Sequence, residues 1–442
     1  IAGVAPAIFL REKLGGIITG TGKNPVGLRE GSAESADSRP DEATKHSGLI
    51  PKRRGYEKMK TLVHCAGVIN PLDPSYMEKS TIGVDEGKIV EIIPGHMEAG
   101  EGQEVVSWGE YFVVPGFFDC HEHVTLDSVA EPPSDDEAGG VFALRAASVC
   151  ANFLRQGGTT VRDAGARGAY NIMIKKAMKQ GLFEGPDLFT AGHRISRTGY
   201  TKWAVCLEAD GPETLRKVVR QEEKRGADFI KLMTSDVMSG KGSPYDPTYS
   251  FEEIKAAVEE AHDLGLKVGV HAYGGEGVTR ALRAGVDSIE HGSLLTEEEA
   301  GMMADRGAFL VMTYMPTYDA VISPKTSPAV KEKARMMIED YQETLPRAKE
   351  AGVRVVCGGD SYGFSPVLEA SALIKAGFTN REALAALTVN GAPLCGMADK
   401  GLIRPGFKAD LLALEGNPLE DIEALERVRG VIKGGGVVGI GE

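Results

Sequence analysis

Two histidines one residue apart, His121 and His123, follow the apolar run Val113-Val114-Pro115-Gly116-Phe117-Phe118. On a β-strand residues i and i+2 point to the same side, so this spacing aims two imidazoles in one direction from the end of a strand covered on both faces. Two neutral imidazoles that converge make half of a metal site. A His-x-His pair is also found on surfaces and in cores, so the rest of the chain must supply the remaining ligands. Candidates stand at comparable places. Lys231 lies inside the apolar run Phe229-Ile230-Lys231-Leu232-Met233, His271 and His291 close two further runs, and Asp360 follows Cys357-Gly358-Gly359. Of the nine histidines in the chain, four occupy such positions, and core packing gives no reason for that concentration.

Lys231 carries two readings. A lysine is rarely buried without a partner, so it pairs with a carboxylate or snorkels. Alternatively its amine, neutral through desolvation and nearby cations, has reacted with CO₂. The resulting carbamate is anionic and has two oxygens that can bridge two metal ions. Cys120 points away from the histidines on the same strand and reads as a small buried hydrophobe. His64 and His96 join no cluster and read as structural or exposed, and His262 reads as a helix-face residue. The run Glu297-Glu298-Glu299 is a helix N-terminus that favours the dipole.

The elements that must position these groups are strands and helices in alternation. After the first strand, strand patterns fall at 159–163, 187–191, 228–233, 267–271, 287–291, 308–313 and 354–358. Helical patterns separate them. Over 251–264 the apolar residues Phe251, Ile254, Val258, Ala261 and Leu264 share one face, and Ser250 with Glu253 forms a capping box. Thr296 with Glu299 and Thr379 with Glu382 repeat that signature. Eight strands separated by helices over some 280 residues match a (β/α)₈ barrel. A doubly wound sheet is the alternative, but no Gly-x-Gly-x-x-Gly phosphate loop follows the first strand. Short strands at 62–69, 80–84 and 88–93, with a hairpin turn at Asp85-Glu86-Gly87, precede the barrel. Strand patterns at 409–414 and 428–433 follow it. The expected class is therefore α/β, a TIM-like barrel over 115–400 with a small β-sandwich domain built from both ends of the chain, 59–114 and 401–442.

Composition bounds the function. The chain has 442 residues and a net charge of −13, which argues against nucleic acid or anionic membrane as the main partner. No apolar run reaches membrane-spanning length. The six cysteines are scattered without a C-x-x-C pair, as expected of reduced thiols in a cytoplasmic protein. Residues 1–58 are basic where the remainder is acidic, and 31–48 offer little to bury. They are expected to be a disordered leader, a non-native extension or a flexible arm, with Met59 as the start of the patterned chain.

The motifs Pro115-Gly116-Phe117-Phe118-Asp119-Cys120-His121-Glu122-His123, Thr159-Thr160-Val161-Arg162-Asp163, Val270-His271-Ala272-Tyr273, Ile289-Glu290-His291-Gly292 and Gly358-Gly359-Asp360 resemble the amidohydrolase superfamily. More narrowly they resemble its prolidase, carboxypeptidase and ochratoxinase-like branch, related to imidazolonepropionase. The tail Gly406-Phe407-Lys408-Ala409-Asp410-Leu411 and the stretch from Gly416 to Ile422 match as well. The resemblance implies a binuclear site with two divalent metal ions, most often zinc. His121, His123 and Asp360 would hold one, His271 and His291 the other, and carboxylated Lys231 with a hydroxide would bridge them. It also implies Asp360 as the catalytic proton carrier, a small-molecule amide substrate and a homo-oligomer.

The substrate pocket departs from the related branch. Its usual Thr-Gly-Gly-His after the third strand is here Thr198-Gly199-Tyr200-Thr201, while His193 stands upstream in Ala191-Gly192-His193-Arg194. His193, Tyr200, Tyr273, Tyr314 and Tyr318 are the candidate pocket residues, and Arg194 is placed to meet a substrate carboxylate. The favoured reading is a metal-dependent hydrolase of peptide-like C–N bonds in N-acyl amino acids or dipeptides. The alternatives are a cyclic amide, lactone or imidazolone hydrolase, and a non-catalytic scaffold on the same fold, although a retired site should have lost ligands and this chain keeps all six.

Overall fold

A computed structural model describes residues 49–50, 59–125, 138–360 and 363–439. Nearly all of the leader expected over 1–58 lies outside them. The exception is Leu49–Ile50, which pairs in parallel with His96–Met97.

Both ends of the chain build one sheet. Strands β1 (Thr61–Val68), β2 (Met77–Asp85), β3 (Lys88–Pro94) and β4 (Glu104–Pro115) come from the first part. The β2–β3 hairpin turns at Glu86 and Gly87, both with positive φ, as its Asp-Glu-Gly sequence requires. Near the C-terminus, β15 (Leu411–Leu414), β16 (Val428–Lys433) and β17 (Gly436–Val438) return, and β15 pairs antiparallel with β4. The order is β17-β16-β15-β4-β1-β2-β3. The sandwich expected from the sequence is thus hydrogen-bonded as one continuous seven-stranded sheet.

Among the described residues, ten parallel strands run between β4 and β15. The first three, β5 (Phe117–Glu122), β6 (Gly158–Asp163) and β7 (Asp187–Thr190), form one sheet. The others are β8 (Arg194–Ser196), β9 (Cys206–Glu208), β10 (Phe229–Met233), β11 (Lys267–Ala272), β12 (Ser288–His291), β13 (Phe309–Met312) and β14 (Arg354–Cys357). They order as β9-β8-β10-β11-β12-β13-β14. All residues of β5, β6 and β10 are buried, the signature of strands covered on both faces. The eight strands expected from the sequence are present within a residue or two. The short pair β8 and β9 was not expected, because three-residue strands carry too little periodicity to see. Single bonds span the gaps between the two sheets. Asp228 N–H donates to Thr190 O at 2.7 Å, and Asp360 N–H donates to His121 O at 2.8 Å.

The helices that alternate with these strands begin with α1 (Ala138–Arg155), α2 (Tyr170–Lys179) and α3 (Pro212–Arg225), and are followed by others punctuated as the sequence predicts. In α4 (Phe251–Asp263) Ser250 Oγ accepts from Glu253 N–H, and the Glu253 carboxylate accepts from Ser250 N–H at 2.9 Å. The same box starts α6 (Glu297–Arg306) and the helix Asn380–Ala386. Each such cap stabilises its helix by about 1 kcal/mol. Gly285 and Gly307, both left-handed, end α5 (Glu276–Ala284) and α6. Among the described residues, no helix is long and apolar enough to cross a membrane.

A buried ion cluster ties the returning sheet to the parallel strands. Lys400 Nζ meets Asp410 at 2.6 Å, Asp187 at 2.8 Å and Thr160 Oγ1 at 2.7 Å, while Lys433 of β16 reaches Asp187 at 2.7 Å. Burial by itself would raise the Asp187 carboxyl, but Lys400 and Lys433 outweigh it and hold it far below the usual range. Removing one partner of a buried pair leaves an uncompensated charge. Lys400→Met is therefore expected to cost about 3–5 kcal/mol in urea unfolding at neutral pH. A carboxyl depressed in the folded state stabilises above its unfolded pKa and loses that contribution as pH falls towards the folded one. The gap between Lys400→Met and the unsubstituted protein should therefore close as pH drops below about 4. A gap that is constant with pH would count against this cluster.

Candidate metal centre

The C-terminal ends of β5, β10, β11, β12 and β14 converge, and each brings one or two polar side chains. His121 is the penultimate residue of β5 and His123 directly follows the strand. Both imidazoles approach one carboxylate oxygen of Asp360, at 3.4 Å and 3.5 Å from their Nε2 atoms. Ligand atoms of His121, His291 and Asp360 lie within 4.8 Å of one another. His271 Nδ1 and His291 Nε2 are 2.7 Å apart. Lys231, on β10, is 1 % exposed and its Nζ has no hydrogen-bond partner among the described residues. Asp360 is the one partly open member, 22 % exposed, so it is the group that meets what enters from outside.

Backbone geometry is held tight here. Among the described residues four non-glycines have positive φ, and two of them are His291 (φ 73) and Asp360 (φ 50). Left-handed backbone at such residues is costly and persists only where the surroundings enforce it. Tyr341 Oη donates to His291 O at 2.9 Å, and Asp360 N–H bonds to His121 O. Gly358 lets β14 run past β5, since a Cβ there would sit 2.6 Å from both the N and the Cβ of His121.

The hydrogen bonds fix which imidazole nitrogens are free. A carbonyl only accepts, so His123 Nδ1, 2.6 Å from Gly165 O, must donate and its Nε2 keeps a lone pair. His121 Nδ1 is 2.7 Å from the Glu290 carboxylate, which leaves its Nε2 equally free. Burial would raise the Glu290 carboxyl, but Arg162 at 3.0 Å, Lys231 and His121 hold it well below the usual range. This buried Arg162–Glu290–Ser288 layer fits beneath the centre because residue 269 is glycine. A Cβ there would lie 2.5 Å from Arg162 Nη2 and 2.6 Å from Glu290 Oε1. His271 Nε2 faces Asp236 O at 3.2 Å, so its lone pair is on Nδ1, directed at His291. His291 Nδ1 rests on Thr313 Oγ1 at 2.7 Å.

Charge follows the same logic. Burial, then Arg194, pushes His123 well below its ordinary pKa. Burial and Lys231 bring His271 down to about 3, and burial with His271 and His121 lowers His291. Burial lowers the Lys231 amine to about 8. Burial would raise Asp360, yet His121, His291 and His123 outweigh it and keep it ionised. Four clustered imidazoles, an ionised carboxylate and a buried amine without a hydrogen-bond partner among the described residues are a donor set that fits divalent cations.

The pocket candidates separate. Tyr273 packs its ring against His271 and His291, with centroids at 4.8 Å and 4.9 Å. Arg194 is buried beside Lys231 in the strand register, and its charge reaches His123. Tyr200 is buried with its hydroxyl on Ser235 O at 3.3 Å. Tyr314 and Tyr318 stack on each other with centroids 6.4 Å apart. His193 is held by Glu222 of the helix Pro212–Arg225, at 2.9 Å. Sequence reading missed Glu290 and Arg162 as the support of His121, and Thr313 and Tyr341 as the support of His291. The one local signal was two charged residues inside apolar strands. His64 and His96, expected in no cluster, stack with centroids 4.7 Å apart.

Residues 112–438 match the model of the Amidohydrolase family. Ochratoxinase of Aspergillus niger is 31 % identical over 363 residues, covering 72 % of this chain and 73 % of that protein. Imidazolonepropionase of Porphyromonas gingivalis is 26 % identical over 378 residues, covering 74 % and 81 %. A crystal structure of a Xaa-Pro dipeptidase with methionine bound in its active site superposes with a TM-score of 0.77 at 29 % identity, over 86 % of this chain and 99 % of the other.

Proposed function

The chain belongs to the amidohydrolase family, and from that premise we propose that it is a binuclear metal hydrolase cleaving the C–N bond of N-acyl amino acids or dipeptides. The observation that carries the reading is the buried Lys231 amine, which has no hydrogen-bond partner among the described residues, beside the imidazoles of His121, His123, His271 and His291, the first two with a free Nε2 lone pair. A carbamate on Lys231 supplies the missing anion. His121, His123 and Asp360 would hold one ion and His271 and His291 the other, with zinc the expected metal. The eight long strands are read as a closed (β/α)₈ barrel, supported by the Asp360–His121 and Asp228–Thr190 bonds across its two seams.

When bound, the ions lower the pKa of a shared water and polarise the scissile carbonyl. The chain's own residues do the rest. Glu290 and Gly165 O fix the orientation of His121 and His123 through their Nδ1 atoms. Asp360 takes the proton of the attacking water and delivers it to the leaving nitrogen, so the amide is replaced by a carboxylate and a free amine. Arg194 meets the carboxylate of an amino-acid leaving group, and Tyr273 walls the pocket beside the two histidines. The Xaa-Pro dipeptidase and ochratoxinase likenesses support this substrate class. Cyclic amide and imidazolone hydrolysis is the second reading, and the imidazolonepropionase likeness favours it.

The test is metal content by elemental analysis together with a panel of N-acyl amino acids, dipeptides, lactones and cyclic amides. About two metals per chain and turnover of the linear amides are expected. One metal with turnover of cyclic amides alone would replace the proposal by the second reading. No metal after metal-replete expression would bring the scaffold reading forward.

A further inference from the structure

The strands that carry the candidate ligands at one end carry cations at the other. Lys267 opens β11, which ends near His271. Asp287 precedes β12, which ends in His291. Arg354 opens β14, which leads to Asp360. At 3.3 Å per residue the two ends are on the order of 13 Å apart along β11. The starting ends open into a concavity of about 490 Å³ lined by His262, Lys267, Asp287, Arg306, Phe309 and Arg354. Three permanent cations and one histidine thus face a single carboxylate, in a chain whose net charge is −13.

Most of the donors are uncommitted. Arg306 makes no hydrogen bond or ion pair among the described residues, and its Nη1 reaches back over Gly285. Arg354 gives one N–H to Gly307 O at 3.1 Å and lays its guanidinium 4.2 Å from the Phe309 ring centroid. Lys267 Nζ donates to Pro393 O. The lone acid, Asp287, is already occupied, accepting from Val268 N–H at 2.7 Å and pairing with His262 at 2.9 Å. Arg306 complements the dipole at the end of α6, which accounts for one cation there but not for three around one hollow. The walls, Phe309, Val286 and Ala308, are apolar and concentrate the field.

We propose that this hollow is a second site, separate from the metal centre, that binds a small organic dianion of the phosphomonoester or dicarboxylate type. Arg306 and Arg354 supply planar forks for two oxygens, and Lys267 supplies a third contact. The site requires neither metal nor substrate turnover, so its existence and that of the proposed hydrolase are tested independently.

Glycerol 3-phosphate and succinate are titrated separately into the metal-loaded protein by calorimetry. We expect at least one to bind at one per chain, with affinity that falls as salt is raised. Arg306→Glu, a substitution at an exposed position, should weaken binding at least tenfold, and Lys267→Gln should weaken it less. The dianion that binds more tightly identifies the phosphoryl or the dicarboxylate class. Absence of binding by both would overturn the proposal. So would binding that survives Arg306→Glu, since that anion would then sit at the metal centre.

Discussion

Asp360→Asn is expected to retain the fold and metal-independent stability while lowering kcat/KM by roughly 10³-fold, within the range of 10²–10⁴ that a positioned proton carrier supplies. The substitution keeps the side-chain volume and the backbone N–H bond to His121 O, so circular dichroism should be unchanged. What it removes is the ionised oxygen that both His121 and His123 approach. Burial alone would protonate this carboxyl, and only the surrounding imidazoles keep it charged. An amide there can neither take the proton of an attacking water nor return it to a leaving nitrogen. Steady-state kinetics on the best substrate of the panel decide the matter. Retention of a tenth of the activity would remove Asp360 from the proton path and leave it as a ligand only.

Lys231→Ala should have a comparable effect through a different cause. The Lys231 side chain is buried, its amine is unpartnered, and desolvation brings it to about 8, so the neutral nucleophilic amine is accessible near neutral pH. Once the ammonium has lost one proton, attack of the neutral nitrogen on CO₂ forms an N–C bond and releases a second, turning a buried cation into an anion with two oxygens. Its loss should reduce metal content and lower activity by at least about 100-fold, the upper end for loss of even an outer-sphere partner. Formate or acetate, small enough to enter the space left by the side chain, should restore part of both. Elemental analysis and activity with and without the added carboxylate provide the measurement. Full metal loading in Lys231→Ala without any additive would show that this amine plays no part in binding.

The two substitutions separate the roles that the geometry assigns. Asp360→Asn tests movement of a proton, with metal content measured alongside because Asp360 is also a proposed ligand, and Lys231→Ala tests the binding itself. Combined with Tyr273, which lies against both His271 and His291, they also indicate where substrate must come from. The open side of the centre is the side on which Asp360 is exposed.

Local rules in the sequence determined a good part of this protein. A spacing of two placed His121 and His123 on one side of a strand, because side-chain direction on a strand alternates residue by residue. Three capping boxes set the starts of their helices, because each is complete within four residues. The apolar run before His121 predicted β5 as a strand covered on both faces, and all its residues are buried. Tertiary structure alone decided the rest. His121 leans on Glu290, 169 residues away, and Lys400 on Asp187 at a separation of 213. Gly269 and Gly358 are needed for what approaches them from other strands, which no neighbour in sequence discloses. His193 and Arg194, adjacent in sequence, part company. One is taken by an outer helix and the other lies beside Lys231. The cations of the opposite face assemble because parallel strands bring all their starting ends to one side. The physical reason is range. Periodicity and capping act over a few residues of chain, whereas ligand convergence, charge compensation and close backbone approach depend on which distant strands become neighbours.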